Sequence, residues 1–85
     1  MWFLYVVECS DGSLYTGVTT DVQRRLNEHN KTSKAAKYTR SRRPVKLVYY
    51  EEHANRSSAS KAEYALKKMS RRNKLQYIAS PHALV

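Results

Sequence analysis

With 85 residues the chain has room for one domain and one small core, expected to span 1–85, because a chain this short buries only about 60–65% of its unfolded surface. No apolar run reaches about 18 residues, which excludes a transmembrane helix, and the single cysteine, Cys9, excludes an internal disulfide and argues against a cysteine-based zinc site. Sixteen Lys and Arg against seven acids leave a net charge of +9, an excess that usually answers to a polyanion.

The opening MWFLYVVECSDG is too short for a signal peptide and is broken by an acid and by Asp-Gly, so a cytoplasmic protein is expected. Within it, WFLYVVEC at 2–9 reads as a strand, rich in β-branched and aromatic residues. Ser10-Asp11-Gly12 then turns the chain into a return strand at 13–18. A two-residue Asp11-Gly12 turn would put Tyr5 and Tyr15 on opposite faces of the ribbon. A three-residue loop with Gly12 left-handed pairs Cys9 with Ser13, sets Val7 opposite Tyr15 and Tyr5 opposite Gly17, and brings both tyrosines to one face. The three-residue loop is the expectation. Gly17 then falls on the tyrosine face, where the missing side chain leaves room for a substrate or a packed helix to approach.

Thr20 or Asp21 can cap the first helix, with Thr20-x-x-Gln23 at capping-box spacing, and the helix runs to about Asn30. Residues 31–43 are polar and basic, with a short helix near 34–39 and then a loop. Pro44 precedes VKLVYYEE, a third strand at 45–52. Asn55-Arg-Ser-Ser forms a cap region before a helix at about 58–69, whose stripe is Ala59, Ala62, Ala65, Leu66 and Met69. A last helical piece at 71–78 carries Leu75 and Ile78. Tyr49, Tyr50, Tyr64 and Tyr77 are most simply core or rim residues. The order β-β-α-(α)-β-α-α gives an α+β domain: a small antiparallel sheet with helices packed on it.

The positive charge is unevenly placed. Lys34, Lys37, Arg40, Arg42, Arg43 and Lys46 lie within thirteen residues, and Lys67, Lys68, Arg71, Arg72 and Lys74 within eight. Solvated helix faces explain any single lysine, but two dense clusters in so small a domain favour nucleic acid as the partner. A membrane surface is disfavoured, because the apolar helix faces are needed for the core.

On the first helix Val22, Leu26 and His29 share one stripe. Arg25 is aimed with that stripe toward the sheet, while Arg24 points to solvent. A cation so placed must pair with a carboxylate, here Glu8, Glu28 or Glu63, or reach the edge of a cleft. Glu63 borders the apolar stripe of the 58–69 helix, where a carboxylate can ligate a divalent cation through oxygen. Ser60-x-x-Glu63 also has capping-box spacing, which would leave Glu63 only closing its own helix; a helix beginning at Ser57 or Ser58 would remove that alternative.

FLY at 3–5, YTG at 15–17, Arg25 within TTDVQRRLNEH and Glu63 within SKAEYALKK resemble, in order and spacing, the GIY-YIG nuclease superfamily. The resemblance covers nearly the whole chain, and LYVVECSDGSLYTGVTTDVQRRLNEHN and KYTRSRRPVKLVYYE liken it to the small stand-alone bacterial members. It implies a three-stranded antiparallel sheet flanked by helices and a metal-dependent endonuclease, with DNA favoured, RNA left open, and a setting in repair or recombination. It further implies one Mg²⁺ or Mn²⁺ ion held by Glu63, Tyr5 and Tyr15 as the two motif tyrosines, Gly17 as the motif glycine, Arg25 as the catalytic arginine and His29 as the histidine one turn on. Phe3-Leu4-Tyr5 replaces Gly-Ile-Tyr and Thr16 replaces Ile, but both triplets keep the tyrosine. Asn73 is an approximate match to an asparagine of the last helix.

The chemistry suits those roles. Arg25 would fork onto a phosphate oxygen, and Tyr5 or Tyr15 would activate water once a nearby cation lowers its pKa. His29 would orient Tyr15, accept a proton, or simply be a satisfied core histidine. In KYTRSRRP, Lys37, Tyr38, Arg40, Arg42 and Arg43 would form a basic strip whose tyrosine stacks on a base, unless Tyr38 packs locally. With no separate specificity domain expected, a protein partner or a second copy would supply specificity.

Overall fold

The computed structural model describes residues 1–79; the last residues of the expected domain, 80–85, lie outside it. The elements are β1 (Trp2–Glu8), β2 (Leu14–Thr19), α1 (Val22–Lys31), α2 (Lys37–Arg40), β3 (Lys46–His53), α3 (Arg56–Lys67) and α4 (Arg71–Ile78). The strands form an antiparallel sheet in the order β2-β1-β3. The most apolar strand is therefore the central one. Its alternate residues feed two cores, as a strand with both faces covered must. Leu4 and Val6 pack with Tyr49 and Leu66, against Ala62, Met69, Tyr77 and Ile78. Tyr5 and Val7 pack with Cys9 and Val45, against Val22 and Leu26 of α1.

The turn between β1 and β2 is the three-residue loop. Gly12 has φ +83°, the Cys9 N–H donates to the Ser13 carbonyl at 2.8 Å, and Tyr5 faces Gly17 while Val7 faces Tyr15. Asp11 fixes the loop by accepting both the N–H and the hydroxyl of Ser13, at 3.0 and 2.6 Å.

Asp21, not Thr20, caps α1: its Oδ1 accepts the Arg24 N–H at 3.0 Å, so the Thr20-x-x-Gln23 box is not the cap. The far end of α1 is tied to the start of β3 by Asn30, whose side-chain amide donates to the Val45 carbonyl at 2.9 Å and accepts the Val45 N–H at 2.7 Å.

α3 starts at Arg56, two residues before the expected start, because Asn55 takes the Ser58 N–H at 2.9 Å and closes the first turn. Glu63 therefore sits two turns inside the helix and closes no cap. The contact line of α3 runs through Ala59, Ala62, Leu66 and Met69; Ala65, expected in that line, is exposed because the 3-4-3 spacing selects Leu66 in its place. On α4, Leu75 is likewise exposed, and Tyr77 packs beside Ile78 instead. Tyr77 donates to Glu51 Oε1 at 2.5 Å, the same oxygen that accepts the Tyr49 hydroxyl, while His53 Nε2 stands 2.5 Å from Glu51 Oε2. That carboxylate anchors α4 to β3.

Candidate active site

The face of the sheet that carries Tyr5 and Tyr15 is covered by α1. Tyr5 is 2% exposed, and its hydroxyl lies 2.7 Å from His29 Nε2. The space beside Gly17, expected to stay open for a substrate or helix, is filled by Tyr5 itself. A Cβ built on Gly17 would stand 2.5 Å from the Tyr5 hydroxyl and 2.7 Å from its Cζ. The two residues are direct partners across the ladder, and the Tyr5 ring lies over Gly17, so position 17 has no room for a side chain.

His29 is completely buried, and its second ring nitrogen, Nδ1, is 2.8 Å from Thr39 Oγ1. Burial first, and then the charge of Arg25, push its pKa down from 6.5 to about 4, so the imidazole is neutral at physiological pH. Burial also dominates Tyr5, raising its hydroxyl to about 12 against the opposing hydrogen bond from Arg25. The resting pair is therefore an un-ionised phenol against a neutral imidazole. Tyr15 meets the His29 ring edge-on at 5.5 Å between centroids and makes no hydrogen bond to it.

Arg25 takes the paired arrangement. Its Nη1 donates to Glu28 Oε1 at 2.9 Å and to the Lys34 carbonyl at 2.8 Å. Burial works to lower its pKa, but the hydrogen bonds to Glu28 and to Tyr5 outweigh it and raise it. The guanidinium is thus held between a carboxylate and a backbone carbonyl. Arg24 is the solvent-facing neighbour, as expected, and pairs only loosely with Glu28 at 3.9 Å.

The charge of Glu63 is the smallest of the influences that raise the Tyr5 pKa. The Glu63 Oε2 is 3.3 Å from Lys67 Nζ, and that ammonium lies 5.8 Å from the centre of the Tyr15 ring. Tyr5, Tyr15, Arg25, His29 and Glu63 thus form one neighbourhood, linked by Lys67. The sequence places Lys67 only in a basic cluster; its i,i+4 spacing from Glu63 is the signal that ties it to this group. Thr39 carries no sequence signal of its own, lying at the end of the short helix expected near 34–39 in a segment read for its charge and for Tyr38. Asn73 sits at the start of α4, exposed, with its N–H on the Ser70 hydroxyl, and none of its contacts reaches this group.

Among the described residues no group of three His, Cys, Asp or Glu side chains is placed to hold a metal ion. The Glu63 carboxylate, three-quarters buried and already matched to a cation, suits one hard ion such as Mg²⁺, which takes one or two carboxylates and completes its shell with water and phosphate oxygens.

The arginines of the basic strip are also engaged in the fold. Arg43 donates to the carbonyls of His29, at 2.5 Å, and of Thr32, closing the C-terminal end of α1. Arg40 donates to the Ser33 and Ala35 carbonyls at 3.1 and 3.4 Å. Arg42 pairs with Asp11 at 3.1 Å and donates to the Tyr38 carbonyl at 2.8 Å. The physical reason is the irregular 32–35 segment, whose carbonyls are served by arginine side chains rather than by a helix or strand. Tyr38 packs locally: its ring stacks on Tyr15 at 5.9 Å with 21° between planes, and the Arg42 guanidinium lies 4.0 Å from its centre. Lys37 is exposed and makes no ion pair among the described residues.

A tyrosine pair from a β-hairpin, an arginine from the following helix and a carboxylate from a later one are grouped on a three-stranded sheet. Residues 1–76 match the GIY-YIG catalytic domain, and the chain belongs to that family. It is 61% identical over 69 residues to a UPF0213 protein of Desulfotalea psychrophila, covering 81% of this chain and 63% of the relative, so about a third of that relative has no counterpart here. With a UPF0213 protein of Streptococcus agalactiae it shares 58% identity over 76 residues, 89% of this chain and 85% of the relative. Two solution NMR structures share the fold. A protein from E. faecalis matches at TM-score 0.65 and 49% identity, covering 94% of this chain and 84% of its own. A UPF0213 protein from Bacillus halodurans matches at TM-score 0.60 and 43% identity, covering 96% and 90%.

Proposed function

We propose that the chain is a divalent-metal-dependent endonuclease that hydrolyses nucleic-acid phosphodiesters, with DNA as the favoured substrate and the cytoplasm as its setting. The observation that carries this reading is the grouping of Tyr5, Tyr15, Arg25, His29 and Glu63, drawn from β1, β2, α1 and α3, around one point.

Glu63 would hold a single Mg²⁺ or Mn²⁺, which supplies Lewis-acid stabilisation of the charge that develops on the phosphate and leaving oxygen. Tyr5 is the better candidate base, because its hydroxyl already has a proton acceptor in His29 Nε2. With a pKa pushed up to about 12 it is not ionised at neutral pH. It must therefore pass its own proton to His29 as it takes one from the attacking water. The water oxygen then bonds to phosphorus, the bond to the leaving oxygen breaks, and that oxygen is protonated from solvent. Arg25 turns from Glu28 to a non-bridging phosphate oxygen, an exchange of one oxyanion for another. Tyr15, half-buried beside Lys67, orients the phosphate.

A second reading has its own observation. Arg25 and Glu63 are each internally ion-paired, as in a nucleic-acid-binding module with little turnover. Incubating the protein with single-stranded, duplex and branched DNA and with RNA, with Mg²⁺, Mn²⁺ or chelator, separates the two. Metal-dependent cleavage of any substrate supports the enzyme. Salt-sensitive binding without cleavage of all of them supports the module.

A further inference from the structure

Thr39, in α2, is completely buried and touches no solvent. Its Oγ1 lies 2.8 Å from His29 Nδ1 and 3.1 Å from the Ala36 carbonyl. With the Tyr5–His29 contact it completes a chain: Tyr5, His29, Thr39, Ala36.

The two ends of that chain fix its direction. Tyr5 is 2% exposed, and His29 Nε2 is the hydrogen-bond partner of its hydroxyl among the described residues, so the single Tyr5 proton points to Nε2. At the other end the Thr39 hydroxyl donates to the Ala36 carbonyl, which leaves the Thr39 oxygen to accept from Nδ1–H. A neutral imidazole carries one N–H, and this direction uses it once. The reverse direction would aim Nε2–H at the Tyr5 oxygen. The buried phenol proton would then have no acceptor, which is costly. The Ala36 carbonyl would lose nothing decisive, since it also accepts the N–H groups of Thr39 and Arg40 at 3.1 and 3.0 Å. The Tyr5 end therefore decides the direction.

We propose that Thr39 is a positioning residue that fixes neutral His29 as the Nδ1–H tautomer, keeping the Nε2 lone pair on the Tyr5 hydroxyl. Its catalytic consequence rests on the endonuclease reading; the tautomer itself does not. When Tyr5 takes a proton from water, its own proton crosses to Nε2. His29 becomes an imidazolium whose Nδ1–H stays on Thr39, so no proton on the far side of the ring has to move. The lost hydroxyl of a valine would remove that hold, whereas a serine would keep it.

The test is long-range ¹H–¹⁵N NMR of the imidazole signals of the full chain at neutral pH, with His29 identified by its disappearance in His29→Gln. The parent and Thr39→Ser are expected to show a protonated Nδ1 and an unprotonated Nε2. Thr39→Val is expected to shift toward the Nε2–H form, with kcat down about tenfold or more and KM within about twofold. An Nε2–H tautomer in the parent, or unchanged tautomer and kcat in Thr39→Val, overturns the proposal. Should Thr39→Val not fold, the tautomers of the parent and of Thr39→Ser decide it. If the parent cleaves nothing yet its Nδ1–H tautomer is found, the positioning role stands and the nuclease reading falls.

Discussion

Tyr5 stands directly across the β1–β2 ladder from Gly17, and its ring occupies the space that a side chain at position 17 would need. Glycine is therefore required here by a neighbour, since its φ is not in the left-handed region. Gly17→Ala forces Tyr5 off His29. The expected result is a loss of about 1–3 kcal/mol of stability by urea denaturation, as for overpacked cores, with nuclease activity lost alongside. Gly12→Ala is the control: its Cβ would meet nothing, and its positive φ costs stability without touching the Tyr5 site.

The buried His29 makes the fold acid-sensitive. Its pKa is about 4 in the folded protein against 6.5 unfolded, so between those values the unfolded chain binds a proton that the folded chain does not. Stability is present in full above pH 6.5 and is lost as pH falls toward 4, by on the order of 3 kcal/mol. Urea midpoints measured from pH 7 to pH 4 should show this slope, and His29→Gln should flatten it. A parent whose midpoint is constant over that window would contradict the neutral, buried imidazole.

Arg43 and Lys37 belong to the same basic segment but do different work. Arg43→Ala uncovers carbonyls at the end of α1 and should lower the melting temperature, at a cost of about 1–3 kcal/mol. Lys37→Ala should leave melting unchanged and weaken nucleic-acid binding, with a shallower salt dependence. Binding titrations at several salt concentrations, beside thermal melts, read both effects. Equal melting temperatures for the two variants would contradict the structural role of Arg43.

Glu51 accepts from two tyrosines and a histidine at the junction of β3 and α4. Burial works to raise its pKa, but those hydrogen bonds prevail and hold the carboxyl below its usual range. Glu51→Ala leaves the Tyr49 and Tyr77 hydroxyls without their acceptor, and a loss of roughly 3 kcal/mol is expected. Hydrogen exchange should locate the loosening in α4, with the His29 region protected as before.

Much of this was legible in the residues. Ser10-Asp11-Gly12 names its own turn, and strand alternation then carries Tyr5 and Tyr15 to one face. The helical stripe separates Arg25 from Arg24, and Asn55 falls in the expected cap region of α3, although the helix starts at Arg56, two residues before the expected 58. What was not legible depends on distant partners. That Gly17 yields its space to Tyr5 rather than to a substrate is a matter of side-chain reach across the ladder. That Arg40 and Arg43 serve carbonyls follows from the irregular 32–35 segment and the end of α1, while Arg42 serves that of Tyr38, and no charge pattern reveals those demands. Thr39 opposite His29 arises only when α2 folds back on α1.

The central claim is that Glu63 carries the metal for hydrolysis at the Tyr5 site. The most direct measurement is cleavage of the best DNA substrate with Mg²⁺ or Mn²⁺ by the parent and by Glu63→Ala, with DNA binding measured in parallel. The account predicts that Glu63→Ala loses cleavage by a factor of about a hundred or more while still binding. Equal cleavage by the two proteins would contradict it.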